Sequence, residues 1–215
     1  MKSFFITFEG IEGSGKSTVA SLVAGRFKKA GYNLLLTREP GGTDLSEEIR
    51  KILLDPRETD MSERTELMLY LASRAQLVDE VLKPALAEGK IVLCDRYFDA
   101  TTAYQGWARG IGEEFINQLN LFTVGEVIPD LTFLLDLSVE EGFMRGPERR
   151  EKTGTRHRDR LELEDIEFHK RVREGYLRIA EGERQRVRVI DASRDIDSVL
   201  FEISEVINDR FPVNI

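Results

Sequence analysis

The residues best suited to chemistry lie near the N-terminus, where the spacing G-x-x-x-x-G-K-[ST] is met by Gly10-Ile11-Glu12-Gly13-Ser14-Gly15-Lys16-Ser17. Glycines in such a loop let backbone N–H groups approach a phosphate, and a following helix points its positive end at the same anion. Lys16 is suited to bridging the β- and γ-phosphates of a nucleoside triphosphate, and the Ser17 hydroxyl is a ligand for Mg²⁺. Residues 10–18, which include Thr18, are therefore predicted to bind ATP and Mg²⁺.

Several arginines lie where they could meet a second anionic substrate. Arg38 follows the second predicted strand, Arg96 follows the third, and Arg74 lies one turn after Tyr70 on a long helix. Each alone could be an ordinary ion-pair partner, but three beside a phosphate loop favour an acceptor such as a nucleoside monophosphate. At about 4 Å in a partly dry site, like charges repel by several kcal/mol, so cations must cancel that repulsion before phosphoryl transfer.

The sequence has no obvious general base, and an acceptor oxygen that is already anionic needs none. We expect both histidines, His157 and His169, to lie at the surface.

A basic segment at residues 145–160 has six arginines and one lysine against three acids, and glycines and a proline interrupt it. We expect a mobile lid at about 143–163 that closes over the nucleotides and supplies arginines to the transferring phosphoryl group. The alternative is a solvated, charged helix end.

Five apolar runs predict the strands that position these residues. They are nearly continuous in apolar character, which is typical of parallel strands covered on both faces, and they comprise Phe4–Phe8, Leu34–Thr37, Ile91–Cys94, Leu131–Leu137 and Val187–Ile190. Helical patterns separate them, so we expect an α/β fold with a central parallel five-stranded sheet and ligands at the carboxyl ends of its strands.

Helix ends are also marked in the sequence. Asp60 and Glu63 form a capping-box pair that predicts the start of the long helix, and Pro84 is predicted to kink or end it. The last helix is predicted over about Ile196–Phe211.

Composition narrows the class of protein. A chain of 215 residues fits a single domain, 1–215, and its net charge of −8 argues against a nucleic-acid partner. No apolar stretch approaches the ~18 residues of a membrane span. Cys94 is the single cysteine and cannot form an internal disulfide, so we expect a cytoplasmic protein without a membrane partner.

Motifs in the same order over nearly the whole chain resemble the bacterial thymidylate kinases, within the nucleoside monophosphate kinase family. They are FEGIEGSGKST, TREPGGT, LYLASRAQ, CDRYFDATTAYQG, PDLTFLLDL and DRLELED. TREPGGT and the DRY…AYQG block are far more specific to that family than the phosphate loop. The resemblance implies a three-layer P-loop fold with an Arg-rich lid, direct Mg²⁺-dependent transfer from ATP to dTMP that gives ADP and dTDP, and a homodimer.

The resemblance also assigns roles to residues. Those implied to bind the acceptor are Glu12 at the deoxyribose 3′-hydroxyl, Tyr70 stacked on thymine, Arg74, Thr101 and Gln105 at the base, Tyr104 against the 2′ position, and Arg38, Arg50 and Arg96 at the phosphate. Asp95 would organise Mg²⁺ together with Ser17. The catalytic positive charges would come from Lys16, Arg96 and one arginine of the lid. The first candidates for that arginine are Arg149 and Arg150, and the second candidates are Arg156 and Arg160.

Two alternatives stay open. One is a kinase for another nucleoside monophosphate or for a deoxynucleoside. The other is a nucleotide-switch ATPase that binds a protein partner and transfers no phosphoryl group to a small molecule.

Overall fold

A computed structural model describes residues 3–57, 60–145 and 159–215. Its strands are β1 (Phe5–Glu9), β2 (Leu34–Arg38), β3 (Ile91–Asp95), β4 (Leu131–Asp136) and β5 (Val187–Asp191). The helices are α1 (Lys16–Lys29), α2 (Asp44–Leu54), α3 (Glu63–Leu77), α4 (Lys83–Ala87), α5 (Phe98–Thr101), α6 (Glu113–Val124), α7 (139–145), α8 (Ile166–Gly182) and α9 (Ile196–Arg210). Two π-helical segments follow α3 and α5, at Val78–Leu82 and Thr102–Ala108.

The strands form one parallel sheet in the order β2-β3-β1-β4-β5. Each predicted strand is confirmed to within one residue at either end. The central strand β1 is buried at every position, whereas the edge strand β2 is only partly buried, as its place in the sheet requires. In register, Phe8 lies beside Asp95 of β3 and Phe133 of β4, so the carboxyl ends of three strands meet at one edge.

Side chains of β1 divide the core into two parts because successive residues of a strand point to opposite faces. Ile6 and Phe8 join a cluster with residues of α1, α8 and α9. Phe5 joins a second cluster on the other face, with Leu77 of α3 and Val92 of β3. The sheet is thus covered on both sides, and the α/β fold predicted from the sequence is confirmed.

The predicted start of α3 is wrong. Ser62, not Asp60, is the N-cap, and its hydroxyl oxygen accepts a hydrogen bond from the Thr65 N–H at 3.2 Å. A capping side chain must lie two or three residues before the N–H that it satisfies, and Ser62 meets that requirement for a helix that begins at Glu63.

Pro84 was predicted to kink or end the helical run, and it does not end it. The chain passes from α3 through the π-helical turn Val78–Leu82 into α4, and Pro84 lies in the first turn of α4. A proline is tolerated more readily in the first turn of a helix than in its interior. Among the described residues, no helix combines the length and apolar character needed to cross a bilayer.

The capping result gives a matched pair of variants. Ser62→Ala removes the acceptor for the Thr65 N–H and is expected to lower the free energy of unfolding by about 1 kcal/mol. Asp60→Ala would be the damaging change if Asp60 formed a capping box. It is expected to leave the free energy of unfolding within about 0.5 kcal/mol of that of the unchanged protein. Urea unfolding followed by circular dichroism compares the two, and a larger loss for Asp60→Ala would contradict this assignment.

Candidate active site

A cavity of about 390 Å³ opens at the carboxyl ends of β1, β2 and β3. It brings together most of the side chains that the sequence predicts for the site, namely Glu12, Lys16, Ser17, Arg38, Arg50, Tyr70, Asp95, Arg96, Thr101, Tyr104 and Gln105. It therefore joins the phosphate loop to an arginine cluster and to aromatic residues in one space.

The phosphate loop connects β1 to α1 and depends on its glycines. Gly13 has φ 78° and Gly15 has φ 90°, a region that L side chains rarely adopt. A Cβ at Gly13 would also lie only 2.4 Å from the backbone oxygen of Gly142 in α7, so loop and helix touch backbone to backbone. The loop is thus fixed in a shape that only glycine allows.

Lys16 begins α1 and is buried at the floor of the loop. Its Nζ donates a hydrogen bond to the Ile11 carbonyl at 2.8 Å, which holds the side chain back along the loop. Burial, and then the positive charge of Arg96, lower the pKa of Lys16 to about 7. An anion in the loop would favour the charged ammonium, so this group is poised to respond to a phosphate.

Ser17 and Asp95 form an oxygen-lined corner beside the loop. The Ser17 hydroxyl donates a short hydrogen bond to Asp95 Oδ2. Asp95 Oδ1 is buried and accepts no hydrogen bond from the described residues. A carboxylate and a hydroxyl are hard oxygen donors that fit Mg²⁺, which commonly takes one or two carboxylates together with substrate phosphates.

Arg96 follows β3 and is held by contacts on both terminal nitrogens. Nη1 donates to the Gly10 carbonyl at 3.0 Å and to the Tyr176 hydroxyl at 3.1 Å. Nη2 donates to Glu12 at 3.3 Å and to the Tyr104 hydroxyl at 3.2 Å. Its backbone has φ 68°, a strained value for an arginine, so the surrounding contacts must fix it there.

Glu9 is a member of this network that sequence reasoning missed. It ends β1 and is fully buried, and its carboxylate accepts from the Tyr97 N–H at 2.6 Å and from the Tyr176 hydroxyl at 2.8 Å. Burial, reinforced by the charge of Asp99, raises the pKa of Glu9 to about 8. The sequence did contain a signal for Glu9, because an acidic residue at the end of an otherwise apolar strand, directly before Gly10, is unusual.

Arg38 of β2 and Arg50 of α2 also line the cavity. Arg38 forms an ion pair with Glu47 at 2.7 Å, and Arg50 donates to the Pro40 carbonyl at 2.9 Å. Burial and the charge of Arg38 both lower the pKa of Arg50, so the two guanidinium groups are near enough to repel each other. An anion between them would relieve that repulsion.

Arg74 does not line the cavity, although its neighbour Tyr70 does. It is 1% exposed, and its guanidinium donates to Glu39, Asn120 and Thr101 and to the Tyr97 carbonyl. The side chain lies behind the cavity wall, bonded to Thr101 at 2.9 Å. Its predicted contact with the base remains a prediction.

The placement of His169 corrects the sequence interpretation. We expected a surface residue, but His169 is 3% exposed and lines the cavity, with its ring edge-on to Phe143 at 5.1 Å. Burial lowers its pKa, so it favours the neutral form. Val172 and Tyr176 lie three and seven residues further along the same helix, and their apolar face could have predicted the burial.

The far end of the predicted lid returns to the site as an anchored turn. Asp159 and Glu162 line the cavity, and neither was singled out from the sequence. Arg160 is buried, with Nη1 2.6 Å from Glu66 and Nε donating to the Leu53 carbonyl at 3.1 Å. The other arginines proposed as catalytic groups of the lid, Arg149, Arg150 and Arg156, lie outside the described residues, as does His157.

Comparison with known proteins agrees with the geometry. Residues 8–203 match the family model described as thymidylate kinase. The chain is 49% identical over 209 residues to a thymidylate kinase of Trichlorobacter lovleyi, covering 97% of this chain and 99% of that one. It is 42% identical over 214 residues to a thymidylate kinase of Bacillus licheniformis, covering 100% and 99% of the two chains. It also matches a crystal structure of thymidylate kinase from Ehrlichia chaffeensis with a TM-score of 0.79 at 36% identity, over 97% and 99% of the two chains.

Proposed function

The chain belongs to the thymidylate kinase family, whose reaction is the phosphorylation of dTMP to dTDP, and from that premise we propose a direct, Mg²⁺-dependent transfer of the γ-phosphoryl group of ATP. The proposal treats residues 1–215 as one kinase domain with a lid at about 143–163. The other open interpretations, a kinase for a different acceptor and a switch ATPase, find no support in these comparisons.

One observation carries the proposal, which is that a single cavity contains Lys16 and three arginines. Arg38 and Arg50 come from β2 and α2 and Arg96 follows β3, and all three line the cavity together with Lys16 of the phosphate loop. Two nucleotides that each carry negative charge require such a concentration of positive charge to approach within reacting distance.

The transfer needs no proton acceptor on the protein. An oxygen of the dTMP phosphate is already anionic, so it attacks the γ-phosphorus, the new P–O bond forms and the bond to the β-phosphate oxygen of ATP breaks, which releases ADP. His169, neutral and buried, is therefore assigned no part in the chemistry. The protein positions the reactants and neutralises charge.

We assign each residue a proposed role from its position around the cavity. Residues 10–18 would bind the phosphates of ATP. Ser17 and Asp95, which are hydrogen-bonded to each other, would hold Mg²⁺, and the bound ion would supply positive charge to the phosphates. Lys16 and Arg96 steady the transferring group, and Arg149 or Arg150 from the lid adds the remaining positive charge. These two lid residues lie outside the described ranges, so the sequence alone supports their assignment.

We propose that the same cavity binds the acceptor. Arg38, Arg50 and Arg96 would bind its phosphate, and Glu12 its 3′-hydroxyl. The Tyr104 hydroxyl accepts a hydrogen bond from Arg96, and its ring lies under that guanidinium at 5.2 Å, so the ring is held rigidly where a ribose 2′-hydroxyl would have to fit. A rigid ring excludes an added hydroxyl better than a mobile one.

We further propose a homodimer formed through α6. Phe122 is 86% exposed and Phe115 is 50% exposed on this helix, and Met68 is exposed on α3, which packs against it. Large apolar side chains gathered on one exposed face typically mark a protein interface. The cytoplasmic location also stays a proposal, and the buried, unpaired Cys94 thiol accords with a reducing compartment.

An acceptor panel tests the activity. With ATP and Mg²⁺ in a coupled assay for ADP release, dTMP is expected to support at least about tenfold higher kcat/KM than AMP, CMP or UMP, because a site that hydrogen-bonds one base leaves its polar groups unpaired with another. Chelation of Mg²⁺ should abolish turnover. Failure with dTMP, together with turnover of another monophosphate, would refute the acceptor, and acceptor-free hydrolysis stimulated by a protein partner would favour the switch ATPase.

The pKa of Lys16 predicts proton uptake. Since that pKa is about 7 in the free protein, Lys16 is mostly neutral at pH 8, and a bound triphosphate should raise its pKa and draw in up to about one proton. Titration calorimetry of Mg·ATP at pH 8 in buffers of different ionisation enthalpy measures this uptake. Lys16→Arg stays charged throughout and should show none. Equal uptake by both proteins would assign the proton to another group.

Light scattering tests the dimer with two matched variants. The unchanged protein is expected to be dimeric at micromolar concentration, and Phe122→Glu should weaken the dimer at least about tenfold, because it places a charge in an apolar contact. Phe201→Glu, on the exposed side of α9 at 66% exposure, should leave the dimer intact. A monomeric unchanged protein, or equal effects of the two substitutions, would refute this interface.

A further inference from the structure

Glu66, which the proposed reaction does not use, is the centre of a buried polar cluster beside the cavity. It lies on α3, one turn before Tyr70, and is 1% exposed. Its Oε1 accepts from Gln105 Nε2 at 2.7 Å and from Arg109 Nε at 3.3 Å. Its Oε2 lies 3.1 Å from Arg109 Nη2 and 2.6 Å from Arg160 Nη1. Burying a carboxylate and two arginines this completely costs desolvation free energy, so we ask what the cluster does to the groups around it.

The cluster keeps Glu66 ionised. Burial alone would raise its pKa, but the hydrogen bonds from Arg109 and Gln105 and the charges of Arg109 and Arg160 outweigh burial and hold the pKa below its usual value. An ionised carboxylate has only acceptor oxygens. Any group hydrogen-bonded to Glu66 must therefore be a donor.

This requirement fixes the orientation of the Gln105 amide. A glutamine amide has donors on its nitrogen and acceptors on its oxygen, and its two ends are interchangeable unless a partner distinguishes them. Here the nitrogen must face Glu66, so the oxygen is turned to the opposite side. Gln105 is 1% exposed and lines the cavity together with Tyr70 and Thr101.

We propose that Glu66 is a positioning residue for recognition of the acceptor base, and that it makes Gln105 present a hydrogen-bond acceptor to the cavity. This inference rests on the proposed binding of dTMP there. Thymine and uracil have an N–H at ring position 3 that would donate to such an oxygen. Cytosine has a lone pair at that position, which would face the oxygen and leave both groups unpaired. The arrangement therefore selects a pyrimidine that is a donor at ring position 3.

Arg109 and Arg160 contribute to base recognition indirectly, through the charge of Glu66. Without them a buried Glu66 would tend to take up a proton and become a donor, and the amide could then turn over. Arg109 has a second carboxylate partner, Glu164, at 2.5 Å, which does not contact Gln105. Glu164 therefore provides a matched control from the same cluster.

The test compares kcat/KM for dTMP and dCMP in Glu66→Gln and Glu164→Gln. Glu66→Gln supplies both a donor and an acceptor, so Gln105 loses its enforced orientation, and the dTMP/dCMP ratio is expected to fall at least about tenfold. The KM for ATP should stay within about twofold of that of the unchanged protein. Glu164→Gln should keep the ratio. A merely structural role for Glu66 would lower turnover of both acceptors equally and leave the ratio where it was, which would overturn the inference.

A second variant, Gln105→Met, tests the same role of Glu66 if Glu66→Gln does not fold. Gln105→Met retains the length of the side chain and leaves the ion pairs of Glu66 intact, and it should lower the ratio as much as Glu66→Gln does. Adding Glu66→Gln to Gln105→Met should lower it no further, since coupled residues are not additive. An undiminished ratio in Gln105→Met, or additive losses in the double variant, would also overturn the inference. If the unchanged protein fails to prefer dTMP, the proposed function fails instead, so the two failures are distinguishable.

Discussion

Repulsion between two negatively charged substrates is the constraint on which this structure depends. A phosphate loop alone neutralises one of them through backbone amides and Lys16. The second requires further positive charge, and the fold provides it at the carboxyl ends of two neighbouring parallel strands. Arg38 is the last residue of β2, Arg96 directly follows β3, and Arg50 lies on α2, the helix after β2. Because the carboxyl ends of these strands meet at one edge of the sheet, charges from distant parts of the chain converge without a long loop.

Concentrated positive charge in turn needs rigid and specific support. Most site arginines are held by carboxylates or by backbone carbonyls, and the burial of those partners is costly unless each hydrogen bond is made. Arg74 and Glu39 form a buried pair behind the wall, and Arg96 is fixed at a strained backbone angle by four contacts. The protein thus holds charge in place before substrates arrive, which is what electrostatic preorganisation means in structural terms.

The sequence predicted the sheet and the phosphate loop well because both depend on local patterns. Apolar runs identify buried parallel strands, and glycine spacing identifies a loop with positive φ angles. The prediction failed where long-range packing decides the outcome. It chose Asp60 as the cap of α3 where Ser62 is the cap, it placed the buried His169 at the surface, and it overlooked the buried Glu9. Likewise, spacing placed Tyr70 and Arg74 on one helical face. Only the packing of α5 and α6 against α3 puts Tyr70 in the cavity and Arg74 behind it.

The backbone contact between Gly13 and Gly142 has a mechanical consequence. A Cβ on either residue would collide with the other segment, at 2.4 Å or 2.5 Å, so no side chain separates the loop from α7. The spacing between the donor's binding loop and the helix that leads toward residues 146–158 is therefore set by main-chain atoms, which no rotamer change can alter. A displacement of α7 would therefore have to carry the phosphate loop with it, because main chain contacts main chain at these two glycines.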